Sequence, residues 1–76
     1  MISTITIERA IDKAVEKITG HLYSDNELIA RYLYNDGRYR SAVIDGDTTS
    51  VELYILKEAY RRLANKRGYS DEFLRA

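Results

Sequence analysis

The stretch SDNELIARYLYNDGRYRSAVIDGD, residues 24–47, decides the fold. Two readings of it compete. In the first, Asn35-Asp36-Gly37 is a tight turn, because Asp-Gly readily takes the positive φ angles that a two-residue hairpin turn demands. It sits between Glu27–Tyr34 and Arg38–Ile44, runs that favour strands through their Tyr, Val and Ile content. In the second, Ser24-Asp25-Asn26-Glu27 is a capping box, with Ser at the N-cap and Glu three residues later. Leu28, Ile29, Tyr32 and Leu33 then follow at helical spacing, and the helix ends near Gly37. Gly37 inside a continuous helix costs about 1 kcal/mol relative to Ala, and Asp36 weakens such a helix further. Arg38–Ile44 is then short for a helix of its own. The hairpin is the preferred reading.

Helices flank this stretch on both sides. Over residues 6–19, Ile7, Ile11, Ala14, Ile18 and then Leu22 recur at spacings of three and four and share one face. Thr6 is placed to cap the first turn, and Gly20 to end the helix. The opposite face carries one row of Glu8, Asp12 and Glu16 and another of Arg9, Lys13 and Lys17. Opposite charges lie three residues apart across the rows, the pattern of a solvated face. Over residues 49–67, Thr49-Ser50-Val51-Glu52 is a second capping-box pattern. Leu53, Leu56, Ala59, Tyr60, Leu63 and Ala64 make a wide apolar face there, with Glu58, Arg61, Arg62 and Asn65 turned away from it. Beyond Gly68, residues 69–76 suit one more helical turn capped by Ser70, with Phe73 and Leu74 as its apolar side. The expected fold is therefore α+β, a helix–β-hairpin–helix domain with a short C-terminal helical turn. A two-stranded sheet needs a partner surface, so one face of the hairpin should lie on the helices.

The chain has 76 residues, which suits a single domain over 1–76. A chain of this size buries about 60% of the surface its unfolded form exposes, so its stability should be modest. There is no cysteine to staple it and none to act as a nucleophile or zinc ligand. No apolar run is long enough for a signal peptide or a membrane span, so a cytoplasmic location is expected. Lys plus Arg and Asp plus Glu number 12 each. A balance of zero argues against a dedicated nucleic-acid binder, whose affinity comes mainly from phosphate neutralisation. The charge is unevenly spread, however. Residues 51–76 hold six basic and four acidic side chains, and four of the basic ones cluster as Arg61, Arg62, Lys66 and Arg67. That cluster can serve phosphates or an acidic partner, or can simply favour the negative end of a helix dipole.

Catalytic motifs are not apparent. His21 is the one histidine. No serine stands in a nucleophile elbow, and there is no Gly-rich phosphate loop. Asp45-Gly46-Asp47 and Asp25-Asn26-Glu27 lack the spacing of a calcium loop and serve better as turn and cap residues. A non-enzymatic chain with no cofactor and no metal is expected. The feature that points to binding is the run of Tyr and Arg from 31 to 40, since these are the residue types enriched at interface hot spots. A hairpin turn at 35–37 would present Tyr34, Arg38, Tyr39 and Arg40 near its tip, with Tyr32 further down. The competing explanation is that tyrosines favour strands and pack on the helices.

Two resemblances bear on function. The order helix, Thr19-Gly20, strand, Asn35-Asp36-Gly37-Arg38, strand, Thr48-Thr49-Ser50-Val51, helix resembles the gpW family of phage head–tail joining proteins, over about residues 5–68. That resemblance implies a small helix–hairpin–helix protein, phage-encoded and acting structurally. Ser24-Asp25-Asn26-Glu27-Leu28, followed by Tyr32, Asp36 and Arg38, is similar to the middle of the Hha/YmoA family, over about residues 16–42. That similarity implies an all-helical modulator that binds nucleoid proteins of the H-NS type. The first expectation is a structural or inhibitory module that docks on a larger protein. The second is a regulator at nucleic acid, acting directly or through a nucleoid protein. A second copy of the chain is a further admissible partner.

Overall fold

The computed structural model describes residues 4–75. It contains four helices: α1 (Thr4–Thr19), α2 (Asp25–Asp45), α3 (Ser50–Lys66) and α4 (Asp71–Arg75). No strand occurs among the described residues. The expected α+β class is therefore corrected to all-helical, and the hairpin at 27–44 is replaced by one continuous helix.

The capping box at Ser24 starts that helix. Ser24 Oγ accepts from the Glu27 N–H at 3.2 Å, and the Ser24 N–H donates to Glu27 Oε1 at 3.4 Å. Two amides otherwise left unpaired at the helix start are thereby satisfied. Leu28, Tyr32, Asn35 and Ala42 then fall at spacings of four, three and seven and are all buried. The residues that signalled a turn are absorbed as helix side chains. Asn35 Nδ2 donates to the Arg31 carbonyl one turn back at 2.8 Å. The Asp36 carboxylate meets Arg40 Nε at 3.1 Å and Lys57 Nζ at 3.4 Å. A cost of about 1 kcal/mol for Gly37 is small beside the ~1.5–3 kcal/mol that burying one large apolar side chain contributes. The stop comes nine residues later, at Gly46, which adopts the left-handed conformation (φ 69°). The Asp47 N–H returns to the Ala42 carbonyl at 2.8 Å, the bond pattern of a Schellman cap.

Helix α3 is the centre of the packing, and α1, α2 and α4 each lie against it. Its Ala59, Tyr60, Leu63 and Ala64 form one core with Ile18 of α1, Leu28 and Tyr32 of α2 and Leu74 of α4. Ala59 and Ala64 are fully buried, and their small side chains let the neighbouring helices come close. Around the rim, Glu58 and Arg61 of α3 are half-buried, not turned away as the sequence suggested. Leu56, placed on the apolar face by spacing, is exposed. The capping box expected at Thr49 does not form. The Thr49 side chain makes no cap bond, and the Thr49 N–H donates instead to Asp47 Oδ1 at 2.9 Å. Ser70 does cap α4, accepting from the Phe73 N–H at 3.1 Å, and Leu74 docks while Phe73 stays exposed.

At the other end, α1 closes at Thr19, and the left-handed residue is not Gly20 but Leu22 (φ 54°). Leu22 is 86% exposed and so leaves the apolar face on which its spacing placed it. The Thr6 cap is also corrected, since α1 begins at Thr4 and Thr6 lies inside it.

Candidate protein-docking surface

Each turn of α2 advances 3.6 residues, so the side opposite its buried stripe is formed by Ala30, Leu33, Tyr34, Gly37, Ser41 and Ile44. All six are exposed. None is charged, although charged residues make up 32% of the chain. Leu33, Tyr34 and Ile44 are among its most exposed large apolar side chains, Ile44 at 84% and Tyr34 at 65%. Gly37 lies at the middle of this strip. A Cβ added there meets nothing within 4 Å, so no contact within the molecule requires a glycine. The glycine does lower helix stability, and it lets another backbone come closer than any other residue would.

The Tyr and Arg residues singled out from the sequence do not act together. Tyr32 is core at 5% exposure, and its burial, with Asp36 and Glu58 nearby, pushes the phenol's pKa up. Tyr39 is half-buried against Tyr54 of α3, ring centroids 5.6 Å apart. Lys57 Nζ lies over both rings at 5.1 and 5.3 Å. Arg40 is exposed and paired with Asp36. Only Tyr34 and Arg38 sit together on the outer side, with the Arg38 guanidinium 5.6 Å from the Tyr34 ring centre.

The basic cluster is also divided. Arg61 forks onto Glu58, with Nε to Oε2 at 2.7 Å and Nη2 to Oε1 at 3.0 Å, and reaches Asp71 at 3.2 Å. Burial is the largest single influence on the Glu58 carboxyl and pushes it up, but the Arg61 hydrogen bonds together with the charges of Arg61, Lys57 and Arg62 leave the pKa lowered. Arg62 joins α3 to α1 through Glu8 at 2.6 Å and Asp12 at 3.3 Å. Arg67 binds the Tyr23 carbonyl at 2.6 Å and Asp25 at 2.9 Å. Lys66 alone of the four is in no ion pair among the described residues. Three of the four cations are therefore spent on internal carboxylates, and a phosphate would have to compete for them.

No family model, curated protein or solved structure matches this chain. The site therefore rests on its own geometry. His21 stacks on Tyr23 with ring centroids 5.4 Å apart, in an exposed connection. Among the described residues, no three His, Asp or Glu side chains converge as a metal-ligand set. None of the described helices is long and apolar enough to cross a membrane. Sequence reading missed Leu33, Gly37, Ser41 and Ile44 as surface residues. Their signal was the spacing 30, 33, 37, 41 and 44, which becomes a face only once α2 is taken as one helix.

Proposed function

We propose that this chain is a non-enzymatic docking module that binds a larger protein through the outer side of α2. The observation that supports this reading is the uncharged strip from Ala30 to Ile44 with Gly37 at its middle. Exposed apolar strips of this kind on small domains mark interaction surfaces. Helix-in-groove and helix-on-helix contacts use anchors at this spacing. Direct contact with nucleic acid is the weaker reading, because Arg61, Arg62 and Arg67 are neutralised inside the molecule. The test is site-specific photo-crosslinking in cells, with a benzophenone amino acid replacing Tyr34 or, on the far side of α1, Glu16. The proposal expects discrete protein adducts from position 34, unchanged by nuclease, and none from position 16. Adducts lost on nuclease treatment would overturn it.

A second reading is favoured by the continuity of α2. Asp25 to Leu28, Tyr32, Asp36 and Arg38 lie on one unbroken helix capped by Ser24, the arrangement implied by similarity to the Hha/YmoA family. In that reading the larger protein is a nucleoid protein of the H-NS type. Titrating a purified protein of that type into the isotope-labelled chain tests it. Saturable shifts along α2 support it, and unchanged spectra at high excess exclude it. The phage head–tail role implied by the gpW-like order depends on two strands, which the described residues lack, and it is not part of the proposal.

A further inference from the structure

The charges beside the docking strip are ordered. By the helical step, Glu27, Arg31, Arg38 and Asp45 fall within about 40° of one another along one flank of the strip. Arg31 and Arg38 are two turns apart, about 10 Å along the axis. Their guanidiniums lie over the rings of Tyr23, at 4.5 Å, and Tyr34, at 5.6 Å. Neither is in an ion pair among the described residues, whereas Arg40, Arg61, Arg62 and Arg67 each hold a carboxylate. The strip is thus bordered by two positive charges that the fold does not neutralise.

The order of signs discriminates between occupants. Minus, plus, plus, minus reads the same from either end. An antiparallel second copy of α2 laid along the strip sets Glu27 against Asp45 and gives Arg31 and Arg38 no carboxylate. A parallel copy turns its opposite flank toward these charges, where Arg40 is exposed and the Asp36 carboxylate is already held by Arg40 and Lys57. Juxtaposed like charges act against a partner. The complementary surface carries acid opposite both arginines and small apolar residues opposite Gly37. Resting on the docking reading above, we infer that the occupant is an amphipathic helix of a different protein. Two carboxylates seven residues apart on that helix face Arg31 and Arg38.

The experiment uses two fluorescein-labelled synthetic helical peptides that share one Leu/Ala strip. One carries Glu at two flank positions seven apart, and the other carries Lys there. Binding to the full chain is read by anisotropy and located by amide shifts. The acidic peptide should bind about tenfold more tightly than the basic one, with the difference shrinking as salt rises. R38E should reverse the preference, and R31Q, a milder change, should reduce it. Both variants are checked for folding by circular dichroism. Equal binding of the two peptides with shifts at Ala30–Ile44 overturns the charge assignment and leaves the docking face standing. Absence of shifts on α2 with either peptide overturns both. A dimer in sedimentation equilibrium that Gly37→Leu abolishes assigns the strip to a second copy and also overturns the inference.

Discussion

Arg67, just beyond α3, reaches back across 42 residues to Asp25 in the first turn of α2, Nη1 to Oδ1 at 2.9 Å. The Tyr69 hydroxyl donates to the other carboxylate oxygen at 2.9 Å. The Arg67 and Tyr69 hydrogen bonds hold the Asp25 carboxyl below its ordinary value of 3.8. Because the folded value is the lower one, this contribution to stability is complete above about pH 4–5 and is lost as pH falls through the folded value. Asp71, held by Arg61 and Asn65, and Asp47, held by the Thr49 amide, act in the same direction. Stability measured by urea titration should therefore fall steadily from pH 5 towards pH 2. Carboxyl NMR should show the Asp25 midpoint move upward in R67M and the Asp71 midpoint stay in place.

The glycine inside α2 and the glycine that caps its end should respond oppositely to alanine. Gly37 has helical geometry and open space, so Gly37→Ala should stabilise by about 0.5–1 kcal/mol. Gly46 has φ 69°, so Gly46→Ala should destabilise by about 1 kcal/mol, through the left-handed strain that a Cβ brings. Urea midpoints of the two variants give both signs.

Tyr34 and Tyr39 should separate in the same way. Tyr34→Ala removes an exposed ring and should leave stability within about 0.5 kcal/mol. Tyr39→Ala removes the contact with Tyr54 and the cation above both rings, and should cost about 1–2 kcal/mol. Equal losses in thermal melts would contradict the placement of Tyr34 on the outer side.

The helix start that decides the fold can be tested directly. Ser24→Ala should cost about 1 kcal/mol by leaving the Glu27 amide without its acceptor. The same change at Thr49, whose side chain makes no cap bond, should cost less. Chemical denaturation of the two variants checks the difference.

The flanking helices were legible because their apolar residues recur with one period, and Ile11, Ile18, Leu53, Ala59, Tyr60, Leu63 and Ala64 are buried as that period requires. The middle was misjudged because Asp36-Gly37 is a local signal, and its preference amounts to about 1 kcal/mol. The Ser24 cap and the burial of Leu28, Tyr32 and Ala42 against α3 outweigh it together. The burial depends on a surface that the local sequence does not display. The candidate site followed the same course. Tyr34 and Arg38 were within reach of composition, whereas the strip around Gly37 exists only on a continuous helix. The pairing of Arg62 and Arg67 with acids 42 to 54 residues away has no signature in spacing.

Because α1, α2 and α4 all rest on α3, their cohesion is hierarchical. Release of α1 breaks the Arg62 bridges to Glu8 and Asp12 and exposes part of α3, yet leaves α2 seated. Release of α3 leaves the other helices without their common support. Amide exchange should therefore be slowest along Ala59–Ala64, opening only with the whole molecule. The α1 amides should exchange through a cheaper, partial opening.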